Sequence, residues 1–141
     1  MTDTDMTIDE REAFLADVHV GVLAIERDGK GPLALPIWYQ YDGTDVTIFT
    51  EGSSAKAKLL RRAGRATLTV QDERPPYRYV SVEGPVTVEP RTEAASDMAI
   101  RYLGPELGRQ FAEANPPTAD SVTARLTPER WLTVDYGKTM G

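Results

Sequence analysis

The sequence contains no cysteine and a single histidine, His19, among its 141 residues. Without thiols the chain forms no disulfide, no thiolate nucleophile and no Cys-ligated metal site. One histidine also leaves a histidine-rich metal site or a Ser-His-Asp triad with one candidate only. Because His19 lies in an apolar run between Val18 and Val20, we expect a hydrogen-bonded strand histidine and predict no metal site.

The sequence also lacks an excess of positive charge and any long apolar run. Its formal net charge of −6 at pH 7 argues against broad nucleic-acid binding, which needs a basic surface. No apolar run approaches the ~20 residues of a membrane-spanning helix. The first residues, MTDTDMTIDERE, are polar and acidic, unlike a targeting segment. We therefore expect a soluble, cytoplasmic protein without nucleic-acid or membrane partners, in which any anion site is a local cluster.

The chain has enough apolar residues for one hydrophobic core. Hydrophobic residues make up 40% of the sequence and charged residues 27%, which are ordinary shares for a globular domain. No repeat, low-complexity tract or linker divides the chain. We therefore predict that residues 1–141 form a single domain.

Short strands separated by turn signals dominate the pattern. Apolar runs and alternations place them at 18–27, 32–41, 45–50, 65–71, 77–89, 118–127 and 130–136. The dipeptides Asp28-Gly29 and Asp42-Gly43 favour hairpin turns. The pattern thus predicts about seven antiparallel strands in hairpin order.

Helical signals precede the first strand and interrupt the others at two places. Thr7 and Glu10 match a capping box at the start of the first helix. A short helix at 54–63 follows the third strand, and two more at 92–103 and 106–114 precede the last two strands. The absence of a strand–helix alternation argues against a Rossmann sheet. We predict a mainly β fold, a small antiparallel barrel with helices at its rims.

The long strand predicted at 77–89 has two chemically different faces. Val80 and Val82 share one face, whereas Tyr77 and Tyr79 share the other. The valine face is expected to face the core. The tyrosine face, which also carries hydrogen-bonding groups, is expected to form a pocket wall or a polar interface.

A cationic segment, GSSAKAKLLRR, begins the helix at 54–63. Ser53 or Ser54 is a natural N-cap, which puts Lys56 in the first turn, where the helix dipole disfavours a cation by up to ~1 kcal/mol. A phosphate between Lys56 and the free amides removes that conflict. The alternative is a solvated basic face, which suits Lys58 because it lies about 200° around the helix from Lys56.

Aromatic residues provide candidate walls for a flat ligand near this segment. Trp38, preceded by Pro36, is one candidate, and Tyr77 and Tyr79 form another. Each is also compatible with an ordinary core or interface position. A phosphate anchor beside an aromatic wall points to a nucleotide-like cofactor.

These segments resemble the pyridoxamine 5′-phosphate oxidase-like split barrels. Within that superfamily they are most similar to the small flavin/deazaflavin oxidoreductases that use coenzyme F420. The resemblance covers roughly 8–136 and is carried by SSAKAKLLRRAGRATL and YRYVSVEGPV. It implies an FMN-binding type of split β-barrel and a homodimer that holds each cofactor in a groove between two barrels.

The resemblance also implies which residues hold the cofactor. They are Leu35, Pro36, Trp38, Thr50, Ser53, Ser54, Lys56, Lys58, Arg61, Tyr77 and Tyr79. Ser53, Ser54 and Lys56 would hold the phosphate, with Thr50 at the preceding strand end. Relatives often carry arginine or another strong donor in place of Ser54, so the phosphate contacts of this chain differ there.

Of the remaining assigned residues, Lys58 and Arg61 would guide an acidic cofactor tail across the surface, and the others would surround the ring. Leu35, Pro36 and Trp38 would line the flat ring system. Tyr77 and Tyr79 would approach it from the partner subunit, near the substrate.

The activity implied is hydride transfer from the reduced deazaflavin to an unsaturated or quinone-like small molecule. The cofactor supplies that chemistry, and the protein supplies position and a dry groove. No catalytic residue is identified: Tyr77 and Tyr79 are weak candidates for a proton donor, since tyrosine is a weak acid at pH 7.

Two alternatives remain open. FMN fits the same fold, although four cations, Lys58, Arg61, Arg62 and Arg65, slightly favour F420 because its glutamate tail is anionic. A non-catalytic protein that binds flavin or F420 is the other alternative. A purely structural dimer would leave Lys56 at the helix start unexplained.

Overall fold

The computed structural model describes residues 2–140 as antiparallel strands and four helices. The strands are β1 (Gly21–Arg27), β2 (Lys30–Ile37), β3 (Gln40–Tyr41), β4 (Val46–Glu51), β5 (Arg65–Asp72), β6 (Arg78–Pro90), β7 (Ser121–Leu126) and β8 (Arg130–Asp135). The helices are α1 (Ile8–Ala16), α2 (Ala55–Ala63), α3 (Ser96–Leu103) and α4 (Pro105–Ala114). None of the helices within residues 2–140 has the length and apolar content needed to cross a membrane.

The single strand predicted at 32–41 is two strands, which raises the count from about seven to eight. The break has a tertiary cause. The Tyr39 backbone N–H donates to the Tyr102 hydroxyl oxygen at 3.0 Å, and the Tyr39 hydroxyl donates to the Leu15 carbonyl at 2.9 Å. These bonds to α3 and α1 hold the backbone out of the strand ladder at this point.

The strand predicted at 18–27 begins only at Gly21, so His19 precedes it. The Tyr102 hydroxyl donates to the His19 carbonyl at 2.7 Å, and the imidazole stacks on Phe14 with ring centroids 4.7 Å apart. Its Nε2 is buried and has no hydrogen-bond partner within residues 2–140. The prediction of a hydrogen-bonded strand histidine is therefore wrong, and burial lowers the pKa of His19.

One path of paired strands runs β2-β1-β5-β6-β7-β4-β3, and β8 pairs with β6. Within the part of the chain that the structure describes, β2 and β3 do not pair with each other, so the sheet stays open. The predicted mainly β split barrel, with a short helix between its strands, is confirmed.

β6 belongs to both halves of the barrel. Its first part, 78–85, pairs with β5, and 86–90 pairs with β7. Gly84 lies next to the changeover, where an added Cβ would meet the Thr127 carbonyl oxygen at 1.9 Å. Only glycine therefore allows the β7–β8 connection to pass this close to the strand.

The core fills the space between the sheet and helices α1 and α2. Val80 and Val82 are fully buried there, which confirms the predicted core face of β6. Leu60 attaches α2 to this core. The predicted capping box between Thr7 and Glu10 is present at the start of α1.

Helices α3 and α4 pack against each other outside this core. Gly108 of α4 packs so closely that an added Cβ would lie 2.5 Å from Ile100 Cα of α3. The Arg101 guanidinium donates to the carbonyls of Ala16 and Asp17, both at 2.8 Å. The pair is thus attached to the end of α1 and to the β2–β3 junction.

Candidate functional site

The start of α2 presents free backbone donors beside a lysine. Ser54 is the N-cap, and its Oγ accepts the Ala57 N–H at 3.1 Å. The amides of Ala55 and Lys56 occupy the first two helical positions, where an α-helix offers no carbonyl partner. The predicted helix start is confirmed, and Ser54 rather than Ser53 is its cap.

Lys56 lies half-buried in this first turn without a counter-ion. No carboxylate within residues 2–140 forms a salt bridge with it, and burial lowers the pKa of Lys56. A desolvated, unpaired ammonium next to free amides is unfavourable in the ligand-free protein. The same arrangement favours binding of a phosphate or a carboxylate, because the ammonium and the free amides can both contact such an anion.

Ser53 and Thr50 flank this turn in different ways. The Ser53 hydroxyl donates to Asp120 Oδ2 at 2.5 Å, and the Gly52 N–H donates to the Asp120 carbonyl at 2.6 Å. Ser53 is therefore occupied by the α4–β7 connection. Thr50 Oγ1 lies 3.3 Å from Ser54 Oγ, so these two hydroxyls lie together at the helix start.

A cleft of about 560 Å³ opens between this helix start and the α3–α4 pair. Four of the residues assigned from the sequence line it: Pro36, Trp38, Thr50 and Lys56. The other lining residues are Ile37, Phe49, Glu51, Arg91, Ala95, Met98, Ala99, Phe111, Ala114, Asn115, Pro116 and Thr118. The cleft is therefore largely apolar, with a cation at the α2 end.

Trp38 connects the barrel to the helical pair. Its ring stacks on Tyr102 with centroids 4.9 Å apart and planes 5° apart, and it meets Phe111 at 5.7 Å. The residue is half-buried, so it both packs against α3 and borders the cleft. The sequence had left these two roles as alternatives, and the geometry combines them.

The model of one protein family, pyridoxamine 5′-phosphate oxidase, matches residues 7–135 of this sequence. That match includes every strand and helix described above. The chain belongs to the pyridoxamine 5′-phosphate oxidase family.

Relatives and solved structures agree with this assignment. The chain is 29% identical over 96 residues to the F420H(2)-dependent biliverdin reductase of Mycobacterium tuberculosis, covering 67% of this chain and 68% of the relative. The conserved hypothetical protein Rv2991 from Mycobacterium tuberculosis superposes with a TM-score of 0.82 at 25% identity, over 99% of this chain and 91% of the other. A structure titled F420 reductase gives 0.71 at 24% identity, over 86% and 94% of the two chains.

Several residues assigned to the cofactor lie outside the cleft of this family member. Leu35 packs against the core, opposite Leu23 of β1. Tyr77 is exposed, and Tyr79 lies in the β6–β8 ladder opposite Val134. Neither tyrosine lines the cleft.

Lys58 and Arg61, the candidates for guiding the acidic tail of the cofactor, are also outside the cleft. Lys58 is exposed on α2. The Arg61 guanidinium donates to the Gly52 carbonyl at 2.8 Å, so it closes the turn before the helix.

The wall provided by α3 and α4 was missed in the sequence. The sequence predicted helices at 92–103 and 106–114, but periodicity does not reveal what a helix packs against. Met98 and Phe111 of these helices line the cleft.

Proposed function

We propose that this pyridoxamine 5′-phosphate oxidase family member is an oxidoreductase that binds coenzyme F420 in the cleft. Its substrate class is an unsaturated or quinone-like small molecule. The similarity to an F420H(2)-dependent biliverdin reductase and to a structure titled F420 reductase supports the choice of cofactor. The single observation that carries the proposal is Lys56, an unpaired half-buried cation at a helix N-terminus inside an apolar cleft.

The phosphate end of the cofactor belongs at α2. Lys56 donates from its ammonium, and the amides of Ala55 and Lys56 donate along the helix axis. The hydroxyls of Thr50 and Ser54 lie at the same end. A bound phosphate replaces the water contacts that the Lys56 ammonium loses on burial. The positive end of the helix dipole attracts the same phosphate.

The ring system belongs beside the aromatic wall. Pro36, Trp38 and Phe111 provide apolar surface that excludes water and fixes the plane of a flat ligand. The bound deazaflavin supplies hydride chemistry when reduced. The chain itself positions the ligand and excludes water from the cleft. A proton for the product comes from solvent or from a tyrosine of the partner subunit.

FMN is the second candidate, because its phosphate fits the same helix start. The two relatives named for F420 favour that cofactor. The tail of F420 is anionic and needs cations beyond Lys56, and Arg91 is a second cation in the cleft.

A second copy of this chain completes the site in this proposal. Five residues on five neighbouring strands are paired in succession and form one row across the sheet: Pro36, Val22, Thr69, Ser81 and Leu132. Its polar centre is internally satisfied, since the Thr69 hydroxyl donates to Ser81 Oγ at 3.1 Å.

Apolar residues flank this polar centre on both sides. Val22 and Leu132 are 42% and 57% exposed, and exposed apolar side chains around a satisfied polar centre suit an isologous interface. Pro36 also lines the cleft, so a partner seated on the row reaches the ligand. Tyr77 and Tyr79 of the partner would approach it there.

Titration of the purified protein with F420 and with FMN tests the cofactor choice, with the bound chromophore identified by absorbance and mass. We expect F420 to bind at least tenfold more tightly. Tight FMN binding without F420 binding would favour the second candidate, and binding of neither would remove the proposal.

Turnover separates an enzyme from a carrier. Reduced F420 bound to the protein should transfer its hydride to an added unsaturated acceptor such as biliverdin or a quinone, so that F420 is oxidised and the acceptor is reduced. Tight binding without oxidation across a panel of such acceptors would indicate a cofactor-binding protein.

A further inference from the structure

A second groove of about 270 Å³ lies next to the cleft, on the outer face of the β4–β7 half of the barrel. It shares Phe49 and Arg91 with the cleft. Its other lining residues are Thr47, Pro90, Thr92, Glu93, Ala94, Thr123 and Arg125. The groove therefore extends the cleft from an apolar region into a polar one.

Strand register explains why these side chains share a face. Thr47 is paired with Arg125, and Phe49 with Thr123, in the β4–β7 ladder. The intervening Ile48 is buried in the core. Because side chains alternate along a strand, the threonines, the phenylalanine and the arginine all point outward.

Arg91 is oriented by neutral contacts. One guanidinium nitrogen donates to the Glu93 carbonyl at 2.6 Å, and the group lies 4.9 Å from the centre of the Phe49 ring. Its Nε is buried and has no partner within residues 2–140. The charge is thus held in place while most of its donors stay available.

Neither arginine of the groove forms a salt bridge within the described residues, unlike Arg62, Arg65 and Arg78. Glu93 is exposed, and only its carbonyl contacts Arg91. On a chain of net charge −6, two guanidinium groups with three threonines around them form a local site for an anion.

We infer that this groove binds a carboxylate of a ligand whose body lies in the cleft. The inference rests on the proposed function, because the ligand is then either F420 or the substrate that it reduces. Two sources supply the same chemistry: the glutamate tail of the cofactor and a carboxylate on the substrate. Planar guanidinium groups match a carboxylate through paired N–H donors, and the threonine hydroxyls add single donors.

The first arm compares intact F420 with F420 from which the tail glutamates have been removed, using binding titrations on Arg125→Gln. Arg109→Gln, on α4 outside the groove, is the control with the same loss of charge. If the tail is the source, Arg125→Gln weakens binding of intact F420 about tenfold, as for one charge-assisted contact. Binding of the tail-free cofactor then changes less than about twofold.

The second arm tests the substrate as the source. Arg125→Gln would then raise the KM for biliverdin, which carries propionates, about tenfold, and would leave kcat and the KM of biliverdin dimethyl ester unchanged. Either pattern supports the groove and names its source. If Arg125→Gln alters neither intact F420 binding nor biliverdin KM more than Arg109→Gln does, the inference is overturned and the proposed function stands.

A third measurement does not depend on the cofactor. Amide NMR titration with tri-γ-glutamate should shift Thr47 and Thr123 in the wild-type protein and not in Arg125→Gln. Absence of these shifts in the wild type excludes the tail as the source, and together with an unchanged biliverdin KM for Arg125→Gln it overturns the groove. Failure of the wild type to bind F420 and FMN, by contrast, overturns the proposed function.

Discussion

Lys56 is a half-buried lysine in the first turn of α2, where burial lowers its pKa and the helix dipole opposes its charge. Both effects make the residue unfavourable for folding. Residues that are costly in the empty protein and useful in the complex are typical of binding sites. Stability and affinity should therefore respond to its removal in opposite directions.

The change Lys56→Met tests this relation. Cofactor affinity should fall by ~1.5–3 kcal/mol, or about 10- to 150-fold, since a charge-assisted hydrogen bond is lost. The Tm of the ligand-free protein should not fall. Lys30→Met, at the exposed start of β2, is the control, and equal affinities for the two variants would show that Lys56 is merely solvated.

Asp72 is an acid whose charge stabilises the fold. It accepts from the Arg74 side chain at 3.1 Å and from Arg78 at 3.0 Å, and these partners hold the pKa of Asp72 well below its ordinary value. Since the folded state prefers the ionised form, its contribution is complete above the unfolded-state pKa of ~3.9 and is lost as pH falls through the folded pKa.

Asp72→Asn should accordingly lower the Tm at pH 7 by several degrees. The difference from wild type should shrink as the pH is lowered below about 4, because the unfolded wild-type carboxyl then takes up a proton. Thermal melts from pH 7 to pH 3 measure this. Glu73→Gln, an exposed neighbour, should show no such trend; a constant deficit for Asp72→Asn would contradict the assignment.

Local rules located part of the candidate site from the sequence. The N-cap rule and the dipole argument identified Lys56, and it lies in the cleft. Leu35 does not, because neighbours along a strand point to opposite faces and Pro36 takes the cleft side. Ser53 is engaged by Asp120, which is 67 residues away, and no local pattern encodes that contact.

Among the elements, the α3–α4 pair forms the wall of the cleft opposite α2. Its helices touch through Gly108, whose missing Cβ allows Ile100 to approach. The pair also causes the break between β2 and β3 through Tyr102, which is 63 residues from Tyr39. Periodicity predicted both helices, but the break depends on this long-range bond and was not predictable locally.

Gly108→Ala tests how closely this wall is packed. Alanine favours a helix over glycine by ~1 kcal/mol, but its Cβ would lie 2.5 Å from Ile100 Cα, and overpacking costs ~1–3 kcal/mol or more. We expect a net loss of stability in urea denaturation. Gly31→Ala, where an added Cβ meets nothing within 4 Å, should change it by less than ~0.5 kcal/mol; an equally stable Gly108→Ala would contradict the packing.

For the whole molecule, the sequence pattern was sufficient to predict a small antiparallel barrel, because turn signals and the absence of βαβ units leave few topologies. That the barrel is open was implied only by the resemblance to the split barrels. The register that aligns Pro36 and Leu132 across five strands was not predictable, since it depends on pairings between distant segments. That row is the surface on which we place a second copy of the chain.

Leu132→Asp should disrupt that dimer, because it buries a charge at an apolar position of the proposed contact. Light scattering after gel filtration should give a dimer for the wild type and a monomer for the variant, and F420 affinity should fall with dissociation. Leu107→Asp is the control, since Leu107 on α4 is 60% exposed and Leu132 57%. A monomeric wild type, or a dimeric Leu132→Asp, would contradict the proposed interface.

The central claim is that the cleft beside the α2 N-terminus holds the cofactor. A crystal structure of the protein with F420 tests it most directly. We predict the phosphate within hydrogen-bond distance of Lys56 Nζ and of the first-turn amides of α2, with the ring against Trp38. A phosphate bound elsewhere, with Lys56 unoccupied and the cleft empty, would contradict the account.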